Sequence, residues 1–208
     1  MGRRPDRALS RESIARTALA IFDGDGGAAV TVRNIAARLG VQSPSLYNHV
    51  ASKDEILDAV TELIDQQIDH SPLDDPDWRR GLAAFARSYR HAFRQHPEAL
   101  AVIARRAVET DAALSAYDAA LAALQRAGWS PAAALRVFAA LEYLVLGSAL
   151  VPFTSGFVRQ PAEYAGQFPA LARSLAGTDL DTVDDAGFEF GLELILDGLA
   201  RDPTRSCI

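Results

Sequence analysis

Apolar positions recur at helical spacing almost from the start of the chain. Leu9, Ile14, Ala18, Ile21 and Phe22 fall near the helical repeat, with Ser10 placed to cap the run and Gly24, Gly26 and Gly27 to stop it. This predicts a first helix over about 10–23. The Asp23-Gly24-Asp25-Gly26-Gly27 stretch reads as a helix cap and turn, because it lacks the further oxygen ligands and late Glu of a calcium loop. Thr31 then precedes a second helix in which Ile35, Ala36 and Leu39 share one face, and Gly40 suits a tight helix-to-helix turn. Pro44 fits the first turn of a short third helix, capped by Gln42 or Ser43, where its missing N–H is not needed. Ser52 and Glu55 have the spacing of a capping box, opening a fourth helix through Ile56, Leu57, Val60, Leu63, Ile64 and Ile68. Pro72 and Pro76, among Asp74, Asp75 and Asp77, break the pattern. Further helices are predicted over about 78–95, 98–106, 112–127, 131–151, 169–175 and 183–200. No stretch alternates with period two for long enough to make a strand, so the expected fold class is all-α.

The run 137–153 holds Glu142 as its one charge. Its uninterrupted apolar part is shorter than the roughly 20 residues a bilayer requires. It therefore reads as a helix buried between others or in a subunit interface, and no membrane is expected as a partner.

Composition narrows the function classes. The chain has 208 residues, 49% hydrophobic and 23% charged, within the ordinary globular range. A single cysteine, Cys207, excludes an intrachain disulfide, a cysteine zinc finger or an iron–sulfur cluster built by one chain. Residues 1–16 carry charge throughout without an apolar signal core, so a cytoplasmic protein is expected. The net charge of −6 is unevenly spread: residues 1–53 carry +4 and the remainder −10. A basic head on an acidic body suggests that the head meets a polyanion. The sequence contains no nucleophile elbow, His-Glu-x-x-His or P-loop, and His70, His91 and His96 lack a tight set of partner ligands. Neither an enzyme nor a metal site or other cofactor is expected.

Residues 31–50 have helix-turn-helix spacing. Ala36 allows a close crossing, Gly40 takes the turn, and Leu39, Val41 and Leu46 pack the two helices together. The outer side of the second of these helices presents Gln42, Ser43, Ser45, Tyr47, Asn48 and His49, hydrogen-bonding groups suited to base edges and phosphates. The stretch from Val30 to Val41, followed by Ser43 to Val50 and Lys53, resembles the N-terminal domain of the TetR (tetracycline repressor) family of bacterial transcriptional regulators. Leu46, Tyr47, His49 and Lys53 carry its most specific run.

That resemblance implies a three-helix DNA-binding head over residues 1–55, with its helix-turn-helix at about 31–50, joined by a fourth helix to an all-α ligand-binding and dimerisation body over 56–208. It implies double-stranded operator DNA and a small-molecule effector as partners. Carried onto this sequence, Thr31 and Arg33 would meet phosphate or a base edge, Gln42, Pro44 and Ser45 would face the bases, Tyr47, His49 and Lys53 would hold the DNA backbone, and Ser43 and Asn48 complete the DNA-contacting set, Asn48 standing where relatives often carry an aromatic. Arg3, Arg4 and Arg7 would form an arm reaching phosphates. Tetracycline-binding members carry a histidine that coordinates the drug's magnesium. Alignment through Trp78 and Pro97 puts Ile103 there, so a less polar effector is expected.

In the body, Phe85, Tyr89, Phe93, His96, Val102, Arg105, Leu121, Phe138 and Tyr143 are the candidate ligand-binding residues. The helices over about 131–151 and 183–200 each carry a large apolar face with small residues, which suits a homodimer through a four-helix interface. The expected function is a repressor that binds a near-palindromic operator and is released by its effector. The alternative is an all-α ligand-binding or protein-interaction module without sequence-specific DNA binding.

Overall fold

The computed structural model describes residues 9–201, and the basic segment with Arg3, Arg4 and Arg7, like Cys207, lies outside them. Four helices build the head: α1 (Arg11–Asp25), α2 (Val32–Leu39), α3 (Ser43–Leu46) and α4 (Lys53–Asp65). The Ser10 hydroxyl accepts from the Ser13 N–H (3.1 Å) while the Ser13 hydroxyl accepts from the Ser10 N–H (2.9 Å), a reciprocal cap that starts α1. The helix runs two residues past the predicted Asp23 and is capped by Gly26. Thr31 caps α2 by accepting from the Asn34 N–H (3.1 Å). Gly40 ends it at φ 72°, ψ 27°, with Val41 N–H returning to the Ala36 carbonyl (3.0 Å). A side chain at Gly40 would be forced into the left-handed region, which explains glycine at this turn.

At α4 the expected capping box is altered. Ser52 accepts from the Glu55 N–H (3.1 Å), but the Glu55 carboxylate takes the N–H of Ala51 (2.5 Å) instead of that of Ser52. The helix ends at Asp65, earlier than the apolar period suggests, since Gln67 and Ile68 bond three residues back in a tightened turn. The head core is fully buried and drawn from all four helices: Ile14, Ile21 and Phe22 meet Ile35, Leu46, Ile56 and Val60. Each such side chain contributes about 1.5–3 kcal/mol through burial.

The body comprises α5 (Trp78–Arg94), α6 (Pro97–Ile103), α7 (Asp111–Arg126), α8 (Pro131–Leu150), the short α9 (Pro161–Tyr164) and α10 (Pro169–Ala176), and α11 (Leu180–Ala200). There is no strand among the described residues. The α8 helix is long and apolar enough to cross a membrane by composition, yet it packs against α5, α6, α7 and α11. Phe85, Phe138, Leu141, Val145, Phe188 and Leu192 fill the centre. Arg90, only 8% exposed, ties three helices: it donates to Ser148 Oγ on α8 (3.1 Å) and to Asp185 on α11 (2.8 Å), and its guanidinium lies 4.5 Å from the Phe188 ring centroid.

Close approach decides Gly81, on the face of α5 that meets the turn Ser71–Asp74. A Cβ there would stand 2.3 Å from the Pro72 carbonyl oxygen and 3.1 Å from Asp75 Cβ. Backbone cannot retreat as a flexible side chain can, so Gly81→Ala is expected to destabilise the chain by about 1–3 kcal/mol, read from the urea midpoint.

Candidate DNA interface and effector cavity

The helix-turn-helix places its polar side chains on one outer surface. Thr31, Arg33, Gln42, Pro44, Tyr47, Asn48, His49 and Lys53 are exposed, while Ser43 and Ser45 are half-buried. Tyr47 is 53% exposed, so its ring is not consumed by packing against α1. Thr31 spends its hydroxyl oxygen on the α2 cap. The arginines of the head divide into two groups. Arg11 pairs with Glu62 (2.5 Å), Arg16 with Glu12 (2.7 Å) and Arg38 with Asp25. Arg33 and Lys53 have no acidic partner among the described residues. Lys53 opens α4, where the helix dipole disfavours a cation, so local structure gives no reason for it. Two exposed cations without an acidic partner among the described residues, together with exposed hydrogen-bonding side chains, offer groups suited to phosphates and base edges.

The head meets the body without a flexible linker. His96 Nδ1 lies 2.9 Å from Asp23 Oδ1, and Nε2 lies 3.4 Å from Gln67 Nε2. Glu98 accepts from the Gly27 N–H (3.3 Å), and Val102 packs against Gly27. Arg106 donates to Asp54 (2.6 Å) and Asp58 (2.7 Å), holding the segment after α6 to the first turns of α4.

Beneath this joint α4 to α8 enclose a cavity of about 370 Å³. Its walls are Thr61 and Asp65 of α4, Tyr89 and Phe93 of α5, Leu100 and Ile103 of α6, Tyr117 of α7, and Glu142, Tyr143 and Leu146 of α8. A smaller chamber shares Asp65, Tyr89 and Tyr117 and adds Phe85, Phe138 and His70. Of the nine body candidates, Phe85, Tyr89, Phe93, Phe138 and Tyr143 therefore lie on these walls. His96 and Val102 serve the head–body joint instead, Arg105 is exposed, and Leu121 is packed against the core. Ile103, expected where relatives use a magnesium-binding histidine, is on the wall and cannot ligate a metal.

Sequence reasoning missed Asp65, Tyr117 and Glu142. Tyr89 and Tyr117 both donate to Glu142 Oε1, the former at 3.2 Å. Burial and the nearby Glu142 carboxylate push both phenols far above their ordinary range, so they remain neutral donors. The Asp65 carboxylate has no hydrogen bond or ion pair among the described residues. Burial, reinforced by Glu62, raises its carboxyl to about 6. A signal for Glu142 was present in the sequence as the one charge in an apolar helix.

Comparison with known proteins identifies the family. Residues 14–60 match the family model "Bacterial regulatory proteins, tetR family", and residues 71–202 match "Tetracyclin repressor-like, C-terminal domain". The chain is 34% identical over 205 residues to the class C tetracycline repressor protein of Escherichia coli, covering 93% of this chain and 91% of that one. Among solved structures, a possible TetR family transcriptional regulator from Streptomyces coelicolor A3(2) superposes with a TM-score of 0.77 at 29% identity, covering 92% of this chain and 98% of that one. The Streptomyces coelicolor TetR family protein ActR in complex with actinorhodin gives 0.77 at 27% identity, covering 93% and 96%. With both halves matched and the helix-turn-helix and enclosed cavity in place, the chain belongs to the TetR family of bacterial regulatory proteins, ligand-responsive transcriptional regulators that bind DNA.

Proposed function

We infer that this protein is a cytoplasmic repressor that binds a near-palindromic operator as a homodimer and releases it when a small molecule fills the α4–α8 cavity. One observation supports this most: α4 carries Lys53 at the polar outer surface and Thr61 and Asp65 on the cavity wall. A single helix thus spans both sites, and a functional division near residue 55 falls within it. A ligand that binds only one head separation shifts the dimer away from the population that fits DNA.

In this reading Gln42, Ser43, Pro44 and Ser45 face the bases, with Pro44 against a thymine methyl, while Thr31, Arg33, Tyr47, Asn48, His49 and Lys53 hold the phosphates. The dimer forms through the outer faces of α8 and α11. Leu135 on α8 is 57% exposed, and Phe190 and Leu194 on α11 are 69% and 57% exposed. Exposed Gly187 and Gly198 on α11 allow two copies to approach. The proposal assigns no catalytic role to the cavity.

Lys53→Gln tests the DNA face. It is expected to weaken binding to a selected operator equally across base variants and to reduce the slope of log affinity against log salt by about 1 per protomer. Fluorescence anisotropy across a salt series reads both. An unchanged slope would remove Lys53 from the phosphate contacts. Tyr89→Phe, by contrast, should alter effector response and leave operator affinity in place.

A further inference from the structure

The walls of the α4–α8 cavity bear on the chemistry of its occupant, an inference that rests on the regulator reading above. Two carboxylates face the space, Asp65 and Glu142. Glu142 receives two phenol hydroxyls at Oε1. The Asp65 carboxylate receives nothing from the described residues. Arg106, the cation on the wall, has its guanidinium committed to Asp54 and Asp58 at 2.6 and 2.7 Å. In the adjoining chamber, which Asp65 also lines, His70 Nδ1 is buried without a hydrogen-bond partner. The cavity and its adjoining chamber therefore combine an unmet imidazole nitrogen and an unpartnered carboxylate with an excess of negative charge and no free counter-charge among the described residues.

The remaining wall is aromatic and aliphatic. Tyr89, Phe93 and Tyr143 offer ring faces, and Ile103 and Leu146 offer apolar surface. Ring faces attract cations, most strongly where water is excluded. An anionic ligand would meet repulsion from two carboxylates. A wholly apolar ligand would cover the Asp65 carboxylate without giving it a partner. A ligand with an ammonium group satisfies both conditions at once. The raised carboxyl of Asp65 is the response of a half-buried acid that lacks such a partner.

We propose that the cavity is a binding site for a protonated amine carried on an aromatic or other apolar body, the ammonium held by Asp65 and Glu142 and the body lying against Phe93, Tyr143 and Ile103. An apolar body with one ammonium is consistent with the largely hydrophobic wall.

Three probes of one shape and different charge test it: naphthylmethylamine, naphthylmethanol and naphthylacetate, titrated against the full-length protein at neutral pH by calorimetry. The amine is expected to bind at least about tenfold tighter than the alcohol, the size of one charge-assisted contact, with the acid weakest. Asp65→Asn and Glu142→Gln should each erase the preference for the amine while leaving alcohol binding in place. Circular dichroism establishes that each variant is folded, and Asp65→Asn, which removes a buried charge, carries the test if Glu142→Gln does not fold. Equal affinities, a preference for the acid, no binding of any probe at millimolar concentration, or an amine preference that survives Asp65→Asn would overturn the assignment. Because the readout is ligand affinity alone, a chain that prefers the amine but selects no DNA sequence would sink only the regulator reading. Selection of an operator together with a preference for the acid would sink only this one.

Discussion

Placing glutamate at both Phe190 and Leu194 should leave a folded monomer that binds operator DNA about 10²–10⁴-fold more weakly than the parent. The two side chains sit one turn apart on the outer face of α11, 69% and 57% exposed, and touch no core that the substitution would disturb. On the proposed α8–α11 dimer face, glutamate introduces like charges into a desolvated interface. The loss on DNA is large because α3 is a single turn, Ser43–Leu46, and one copy reaches one half-site. The second half-site is gained through the high local concentration that dimerisation provides, and it disappears with the dimer. Sedimentation and anisotropy on the same samples read the two effects. A variant that stays dimeric would move the interface off α11, and a monomer of undiminished affinity would contradict the two-half-site account.

Asp65→Asn should have the opposite sign on stability, raising it by about 2 kcal/mol at neutral pH. The folded chain holds the Asp65 proton up to about 6, against 3.8 for the ordinary side chain. Folding therefore favours the protonated form, and the parent loses stability as pH rises from the lower value to the higher. The whole penalty is present above about 6 and absent below the unfolded value. The full shift corresponds to nearly 3 kcal/mol, reduced here because the side chain is half-buried rather than fully enclosed. Urea midpoints should thus differ most between parent and variant near pH 7 and converge at roughly pH 4. A constant gap across that range would show that the carboxylate is relieved by a partner. A side chain that costs the fold stability, on the wall of a cavity, is the trade expected of a binding site.

The head was legible because its signals are local. Thr31, Gly40, Pro44 and Ser52 each act on backbone within a few residues, and all occupy the caps or turns that their chemistry predicts. Boundaries slipped where apolar spacing outlived the helix, as at Ile68, which stays 9% exposed after the hydrogen bonds have changed pattern. The single turn α9 was missed because four residues are too few to show a period.

The cavity was half legible. Aromatic residues on α5 and α8 follow the buried stripe, so Phe85, Tyr89, Phe93 and Phe138 could be placed inside by spacing. Spacing does not say whether a charge on a stripe's edge turns inward. Asp65 sits one turn after Thr61 on the cavity side of α4, and this depends on where α5 and α7 pack. His96 shows the converse. Its neighbours in sequence suggest a pocket, but α1 supplies Asp23 from 73 positions away and makes it a joint.

Sequence-specific recognition of DNA by a dimer is open to selection of random duplexes by the purified protein at near-physiological salt. The enriched sequences should form a near-palindrome with half-sites about one helical turn, roughly 34–36 Å, apart. Recovery of no shared motif by a folded, dimeric protein would contradict it and leave a helical ligand-binding module whose head does not read DNA.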